Sequence, residues 1–316
     1  MEFIQKLITV KLPQLFLASL FFVLISCTLD MTDYEAEKDR DIPEKTEFKE
    51  AISFEKEHYK ISIETLNGTF YKGYNEIHLT ITDTKTNEFV TNSNINFLPI
   101  STNSNSTISS CPHQYELVYD DQNNYYSGYS VFTKITDSEN DWNIYINFSI
   151  DGETYNINQK IIVNEQENKN LNMTTFTGND DEQYVIALIS PQKPTVSENN
   201  LVAGIYKYNQ PTEHTTVFPD ESQFSYSIVN NYTLKIDPRM PEPSMGNHSS
   251  LNNKDLTQQI DLLYHGIANY TMTGNWTLNF ILINEKGRII KGTEVPTDFT
   301  PGIEGAKSEL FIDILF

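Results

Sequence analysis

Short stretches in which apolar and polar residues alternate recur along this chain, and they restrict its fold more than any other feature. They occur at residues 59–63, 77–81, 142–146, 232–236 and 276–280. Alternation among β-branched and aromatic residues predicts strands that bury one face. Asn, Asp, Gly and Pro lie between these stretches, as is typical of turns. With no amphipathic helix evident after the N-terminus, the sequence predicts an all-β fold in the form of a sandwich.

An internal repeat organises these strands. The first copy contains Asn75, Cys111-Pro112-His113, residues 126–129 and Trp142, and the second contains Asn200, residues 245–248, residues 264–267 and Trp276. The order is the same in both copies, so we predict two β-sandwich domains, at residues 58–165 and 180–316. The connection between them is polar and has little to bury. Each tryptophan is expected to fill the space between two sheets.

The N-terminus has the features of a bacterial export signal. Lys6 and Lys11 precede an apolar run at residues 15–25, which is followed by the end of the signal, Leu24-Ile25-Ser26-Cys27. The run is short for a membrane span, and its end resembles a bacterial lipobox. We predict a signal peptide at residues 1–26 and a lipidated Cys27, whose fatty acids, such as palmitate, anchor the protein to a membrane. The predicted location is the bacterial cell envelope, at the outer membrane. An uncleaved anchor helix is the alternative.

Charge dominates the next segment and the chain as a whole. Residues 27–57 hold many charged and few large apolar side chains, which predicts a disordered acidic tether. The formal net charge of the chain is -21. Such a field repels nucleic acid, so a nucleic-acid partner is not expected.

A Pro-rich segment near the end of the chain offers soft metal ligands. Met240, Met245 and His248 lie close together there, and Met272 follows shortly before Trp276. Thioether and imidazole groups favour copper, Cu(I) especially. We expect the first three on one partly exposed loop and Met272 on a facing strand. The alternative is that the methionines fill gaps in the core and His248 is an ordinary surface residue.

The same segment resembles the YtkA-like/FixH-like domains of bacterial envelope proteins. The resemblance rests on Met240-Pro241 through His248, on Tyr264-His265-Gly266, and on Met272-Thr273-Gly274-Asn275-Trp276-Thr277-Leu278. It covers residues 180–316, and residues 58–165 look like a more diverged tandem copy. It implies an immunoglobulin-like sandwich and, by association, copper handling in the cell envelope.

The corresponding loop of the first copy offers Cys111 and His113. A thiolate and an imidazole bind copper or zinc, although a buried Cys in a Pro-containing loop is also ordinary. His78 lies on an alternating strand and is expected to face solvent. No nucleophile elbow, zinc-protease motif or phosphate-binding loop is present in the sequence, so an enzyme is not predicted.

Two classes of function remain open at this point. The first is copper binding by the Met/His loop. The second is a metal-free, immunoglobulin-like interaction or adhesion module on the cell surface, with no cofactor. An envelope protein is a possible partner in both cases. An immunoglobulin-like fold serves either function and does not choose between them.

Overall fold

The computed structural model describes residues 47–213 and 215–316. The predicted signal peptide at residues 1–26, the predicted lipidation site at Cys27 and the first part of the predicted tether lie outside the described residues.

The described chain consists almost entirely of strands. The first half contains β1 (Phe48–Lys56), β2 (Tyr59–Leu66), β3 (Phe70–Tyr71), β4 (Gly73–Asp83), β5 (Glu88–Phe89), β6 (Ile95–Asn103), β7 (Ile108–Ser109), β8 (Val118–Asp120), β9 (Tyr125–Phe132), β10 (Asn140–Ile150), β11 (Glu153–Ile161) and β12 (Val163–Asn164). The second half contains β13 (Met173–Thr177), β14 (Gln183–Ser190), β15 (Glu198–Tyr208), β16 (Tyr226–Ile228), β17 (Thr233–Met240), β18 (His248–Ser249), β19 (Lys254–Gln258), β20 (Tyr264–Asn269), β21 (Asn275–Ile283), β22 (Ile289–Lys291) and β23 (Phe311–Leu315).

These strands confirm the predicted all-β fold. Each alternating stretch of the sequence falls in a strand or, for residues 232–236, begins one residue before a strand. The one helical segment among the described residues is a short 3-10 helix at Glu221–Gln223. No helix within the described ranges is long and apolar enough to cross a membrane.

Two sheets face each other in the first half. One has the order β1-β2-β4-β9-β8, with β5 added to β4, and the other has the order β11-β10-β6-β7. The inward side chains of both sheets form one hydrophobic core, which includes Ile61, Ile77, Phe97, Trp142 and Phe148. Because alternate residues of each strand point inward, the other face of each sheet is left to polar side chains or to neighbouring segments.

The second half is one continuous sheet that folds around its own core. Its order is β13-β14-β15-β20-β19-β17-β21-β22, with β16, β18 and β23 added at β15, β17 and β21. Strand β19 pairs with both β20 and β17, so it joins the two layers. The enclosed core includes Tyr184, Ile205, Trp276 and Phe280.

The tether is shorter than the sequence predicts. Strand β1 pairs along its length with β2, so residues 48–56 belong to the sheet and the predicted boundary at residue 58 is too late. Phe48, Ile52 and Phe54 are partly buried, whereas the charged residues of the strand face solvent. Charges on an edge strand protect its open hydrogen-bonding groups from pairing with other chains. In the sequence, the same charges give the strand the composition of a tether.

The polar connection at residues 166–179 is also more ordered than its composition indicates. The side chains of Gln166, Asn168 and Asn170 are buried, and Met173 begins β13. Gln166 accepts a hydrogen bond from the amide of Leu171 at 3.0 Å and donates to the Leu171 and Lys72 carbonyls. Amide side chains satisfy buried backbone groups here, so a polar segment is packed rather than solvated.

A cluster of tyrosines joins the two halves. Val131 and Tyr129 of β9 pack with Val185, Ala187 and Tyr206 of the second half. The ring of Tyr129 lies 5.6 Å from that of Tyr206. The described residues accordingly belong to one compact unit.

The internal repeat has a structural counterpart, shifted by one residue from the sequence match. Asn75 and Asn199 are both buried, and each accepts a bond from the amide four residues earlier while donating to two preceding carbonyls. Two residues after each Asn, Ile77 pairs with Gly128 and Leu201 pairs with Gly266. The equivalent of Asn75 is thus Asn199, and not Asn200 as the sequence order suggests.

Candidate functional site

The Pro-rich segment forms a turn between two paired strands. Met240 is the last residue of β17 and lies opposite His248, the first residue of β18. Gly246 and Asn247 both have a positive φ, at 63° and 54°, which lets the chain reverse direction between them. Cross-strand partners project to the same face of an antiparallel pair, so the structure does bring Met240 and His248 together.

The four predicted copper ligands lie at the core that contains Trp276 but differ in burial. Met240 is fully buried in the core, whereas Met245 and Met272 are partly buried against it. The His248 ring lies 6.1 Å from that of Trp276, and the Trp276 indole donates to the Met272 carbonyl at 3.0 Å. Met240 therefore lies on a strand rather than on an open loop, and Met272 lies in the turn before β21 rather than on the strand.

His248 also has a protein partner. Its Nε2 atom lies 2.8 Å from the hydroxyl oxygen of Thr271. Within residues 47–213 and 215–316, no three His, Cys, Asp or Glu side chains are grouped so as to hold a metal ion. Any copper site in this region would depend on the thioethers, and the Met240 thioether faces the core.

Cys111 and His113 are both packed inside the first half. Burial raises the pKa of the Cys111 thiol to about 12 and lowers the pKa of His113 to about 4. Both side chains are therefore neutral at neutral pH, and His113 Nδ1 donates to the Cys111 carbonyl at 2.7 Å. A neutral thiol is a poor metal ligand, because the thiolate is the form that binds metal. The burial of both residues and the hydrogen bond between them indicate a role in packing.

His78 does not face solvent, contrary to the expectation from its strand. Its ring is stacked between Phe48, at 3.9 Å, and Tyr125, at 3.8 Å. Its Nε2 atom lies 2.9 Å from the Glu76 carboxylate. Alternation predicts which face of the sheet a residue points to. It does not predict that aromatic side chains from β1 and β9 will cover that face.

A concave site lies on the outer face of the β11-β10-β6 sheet. It has a volume of about 500 Å³, which is in the range of small-molecule binding sites. Its lining combines amides, aromatic rings and a few aliphatic side chains, namely Asn96, Leu98, Tyr115, Tyr145, Ile146, Asn147, Asn156, Ile157, Asn158, Phe218 and Pro219. We call this site the amide groove.

Strand pairing places three asparagines in one row across the floor of the amide groove. Asn147 of β10 lies opposite Asn96 of β6 and Asn156 of β11. The side-chain amide of Asn147 donates to the side-chain oxygen Oδ1 of Asn156 at 2.7 Å. The next row contains Tyr145, whose hydroxyl accepts from the Asn158 amide at 3.2 Å. The floor is therefore a grid of hydrogen-bonding groups on a rigid sheet.

One wall of the amide groove comes from the other half of the chain. The connection between β15 and β16 passes over the sheet and places the Phe218 ring edge-on to Tyr145, 5.5 Å away. This connection is held by local bonds: Asp220 accepts from the Ser222 amide at 3.0 Å, and the Tyr208 hydroxyl donates to the Gln223 carbonyl at 3.0 Å.

No sequence motif singles out the amide groove. The alternating pattern at residues 143–147 and 154–158 does show Asn and Tyr on the outward positions of two strands. That signal was available, but the pairing that aligns the strands and the distant segment that supplies Phe218 were not.

Comparison with known proteins adds no family to this picture, because no protein-family model and no curated protein matches the chain.

Proposed function

We propose that this chain is a metal-free binding module of the bacterial cell envelope, and that it holds its ligand in the amide groove. The observation that carries the proposal is the groove itself: a cavity of about 500 Å³ that has aligned amides on its sheet floor and three aromatic rings in its lining. Preorganised side chains on a sheet lose little conformational entropy when a ligand binds. The proposal assigns no catalytic step.

The anchoring part of the proposal rests on the N-terminal sequence. A lipid on Cys27 would hold the fold at the membrane, and the charged residues after it would act as a short spacer. Metabolic labelling with a fatty-acid analogue tests this part. The parent protein should incorporate the label and Cys27→Ala should not, and equal labelling would contradict the anchor.

Binding through the amide groove is tested with beads coated with the purified full-length protein and layered on epithelial and bacterial cells. We expect the parent beads to attach and a Tyr145→Ala/Phe218→Ala variant to lose at least about tenfold in attachment, equivalent to about 1.4 kcal/mol. Asn143→Ala is the matched control, because Asn143 lies on the same face of β10 outside the groove. A chelator of copper should leave attachment unchanged. Equal attachment of all three proteins would reject the groove as the binding site.

Copper binding is the second candidate, and one observation favours it. Met240 and His248 are cross-strand partners, the His248 ring lies 6.1 Å from that of Trp276, and all three methionines pack in or against the core that contains Trp276. The test is a Cu(I) titration against a competing chelator. Copper binding that is lost in Met245→Ala/His248→Ala would support this candidate, and a parent protein that does not compete with the chelator would reject it.

A further inference from the structure

We infer that the ligand of the amide groove is a neutral oligosaccharide, an inference that rests on the function proposed above. A sugar ring has an apolar face of C–H groups and a rim of hydroxyls. It therefore needs a surface that offers aromatic faces and side chains able both to donate and to accept hydrogen bonds. The amide groove has both kinds of group within one site.

The amides have hydrogen-bonding capacity left after their mutual contacts. A side-chain amide has two donor hydrogens and an oxygen with two lone pairs. The bond between Asn147 and Asn156 uses one donor of the first and one lone pair of the second. Each can still pair with a hydroxyl, which is itself donor and acceptor and so suits either end of an amide.

The aromatic rings form a corner suited to an apolar face. Tyr145 and Phe218 are almost perpendicular, at 87°, and Phe218 is half exposed. Flat aromatic rings of this kind give a large contact area with few rotatable bonds. A sugar stacked on one ring would place its hydroxyls over the asparagine row beside it.

The charges favour a neutral ligand over an acidic one. No side chain in the lining of the amide groove is charged. The pKa of Tyr115, in the wall of the groove, is raised first by burial and then by the nearby carboxylates of Glu221, Asp220 and Glu116. Together with the net charge of -21, these carboxylates repel anions such as sialylated or sulfated glycans.

The geometry also distinguishes a sugar from an extended peptide. Peptides are commonly captured by backbone hydrogen bonds along an open sheet edge. The amide groove lies on the face of the sheet and is centred on β10, whose backbone already pairs with β11 on one side and with β6 on the other. The grid of amides over that face matches a ligand rich in hydroxyls.

A glycan array tests the inference. The purified full-length protein is applied to neutral oligosaccharides (glucans, mannans, xylans and N-acetylglucosamine oligomers), to sialylated and sulfated glycans, and to a peptide array. We expect retention on at least one neutral class. Asn147→Ala/Asn156→Ala and Tyr145→Ala should each lower affinity for that class at least about tenfold, equivalent to about 1.4 kcal/mol. Asn143→Ala should change it less than about twofold, and thermal unfolding verifies that every variant folds.

Several results would overturn the inference. They are retention on no neutral glycan, stronger retention on acidic glycans, groove-dependent retention on peptides alone, or equal binding by parent and variants. The proposed function fails separately. If the array is negative but the groove variants still lose attachment to cells, the proposed binding function is supported and the assignment of an oligosaccharide as the ligand is wrong. If the variants attach to cells as well as the parent does, the groove is rejected as the binding site.

Discussion

Replacing Asn75 by Ala should reveal how much one buried amide contributes to each repeat. The Asn75 side chain is 7% exposed and makes three bonds, accepting from the Tyr71 amide at 2.9 Å and donating to the Tyr71 and Gly73 carbonyls at 2.6 and 2.9 Å. A hydrogen bond contributes a net ~1 kcal/mol, and a buried group left without its partner adds to the loss. We therefore expect Asn75→Ala to lower the free energy of unfolding by about 3 kcal/mol.

Asn199 provides the matched comparison, because it makes the same three bonds in the second half. Its partners Thr195 and Ser197 are exposed, so water can replace some of the hydrogen bonds that the Asn199 side chain makes. Asn199→Ala should cost about half as much, ~1–2 kcal/mol. Asn200→Ala is the control, since Asn200 is exposed and should cost less than about 0.5 kcal/mol.

Urea unfolding followed by fluorescence measures all three variants, with the midpoint shift converted to free energy at constant slope. A loss at Asn200 equal to that at Asn199 would refute the structural assignment of the repeat. A loss at Asn75 no larger than that at Asn199 would refute the argument that burial of the partners sets the magnitude.

Three further predictions concern the core and the buried titratable groups. Trp276→Ala should cost about 3–5 kcal/mol in urea unfolding because the ring is 1% exposed, and a cost below about 1 kcal/mol would contradict its core position. His113 has a pKa of about 4 in the fold against 6.5 unfolded, so the unfolded chain binds the proton first as pH falls. The parent should therefore lose about 3 kcal/mol more than His113→Gln between about pH 7 and pH 4, and parallel pH profiles would refute this. Cys111 is buried with a pKa of about 12, so a thiol reagent should modify it only in denaturant, and rapid modification of the native protein at about pH 8 would contradict its burial.

Local patterns predict the strands and the tryptophans well. Side chains alternate along any strand, so residues 59–63 or 142–146 indicate an inward and an outward face without knowledge of the partner strand. Both tryptophans are buried as expected, with Trp142 and Trp276 at 0% and 1% exposure. Each indole finds a carbonyl acceptor, from Lys134 and Met272. The size of the ring and its position at the start of an apolar face are sufficient for this prediction.

Composition misleads where charge or polarity has a structural use. The charges of residues 48–56 protect an edge strand, and the amides of residues 166–170 satisfy buried backbone groups. His78 is covered by Phe48 and Tyr125 from two other strands. In each case the deciding partner lies elsewhere in the chain, and no local pattern specifies it.

The sequence by itself determined the all-β class, the alternating faces and the repeated order of motifs, because these depend on the chemistry of neighbouring residues. Only the tertiary structure decided where chemistry-bearing side chains meet. Pairing of β6, β10 and β11 aligned Asn96, Asn147 and Asn156, and the connection after β15 brought Phe218 over Tyr145. Strand register and long-range packing are set by the summed burial of many residues, so a groove assembled from five separate segments has no signature in any one of them.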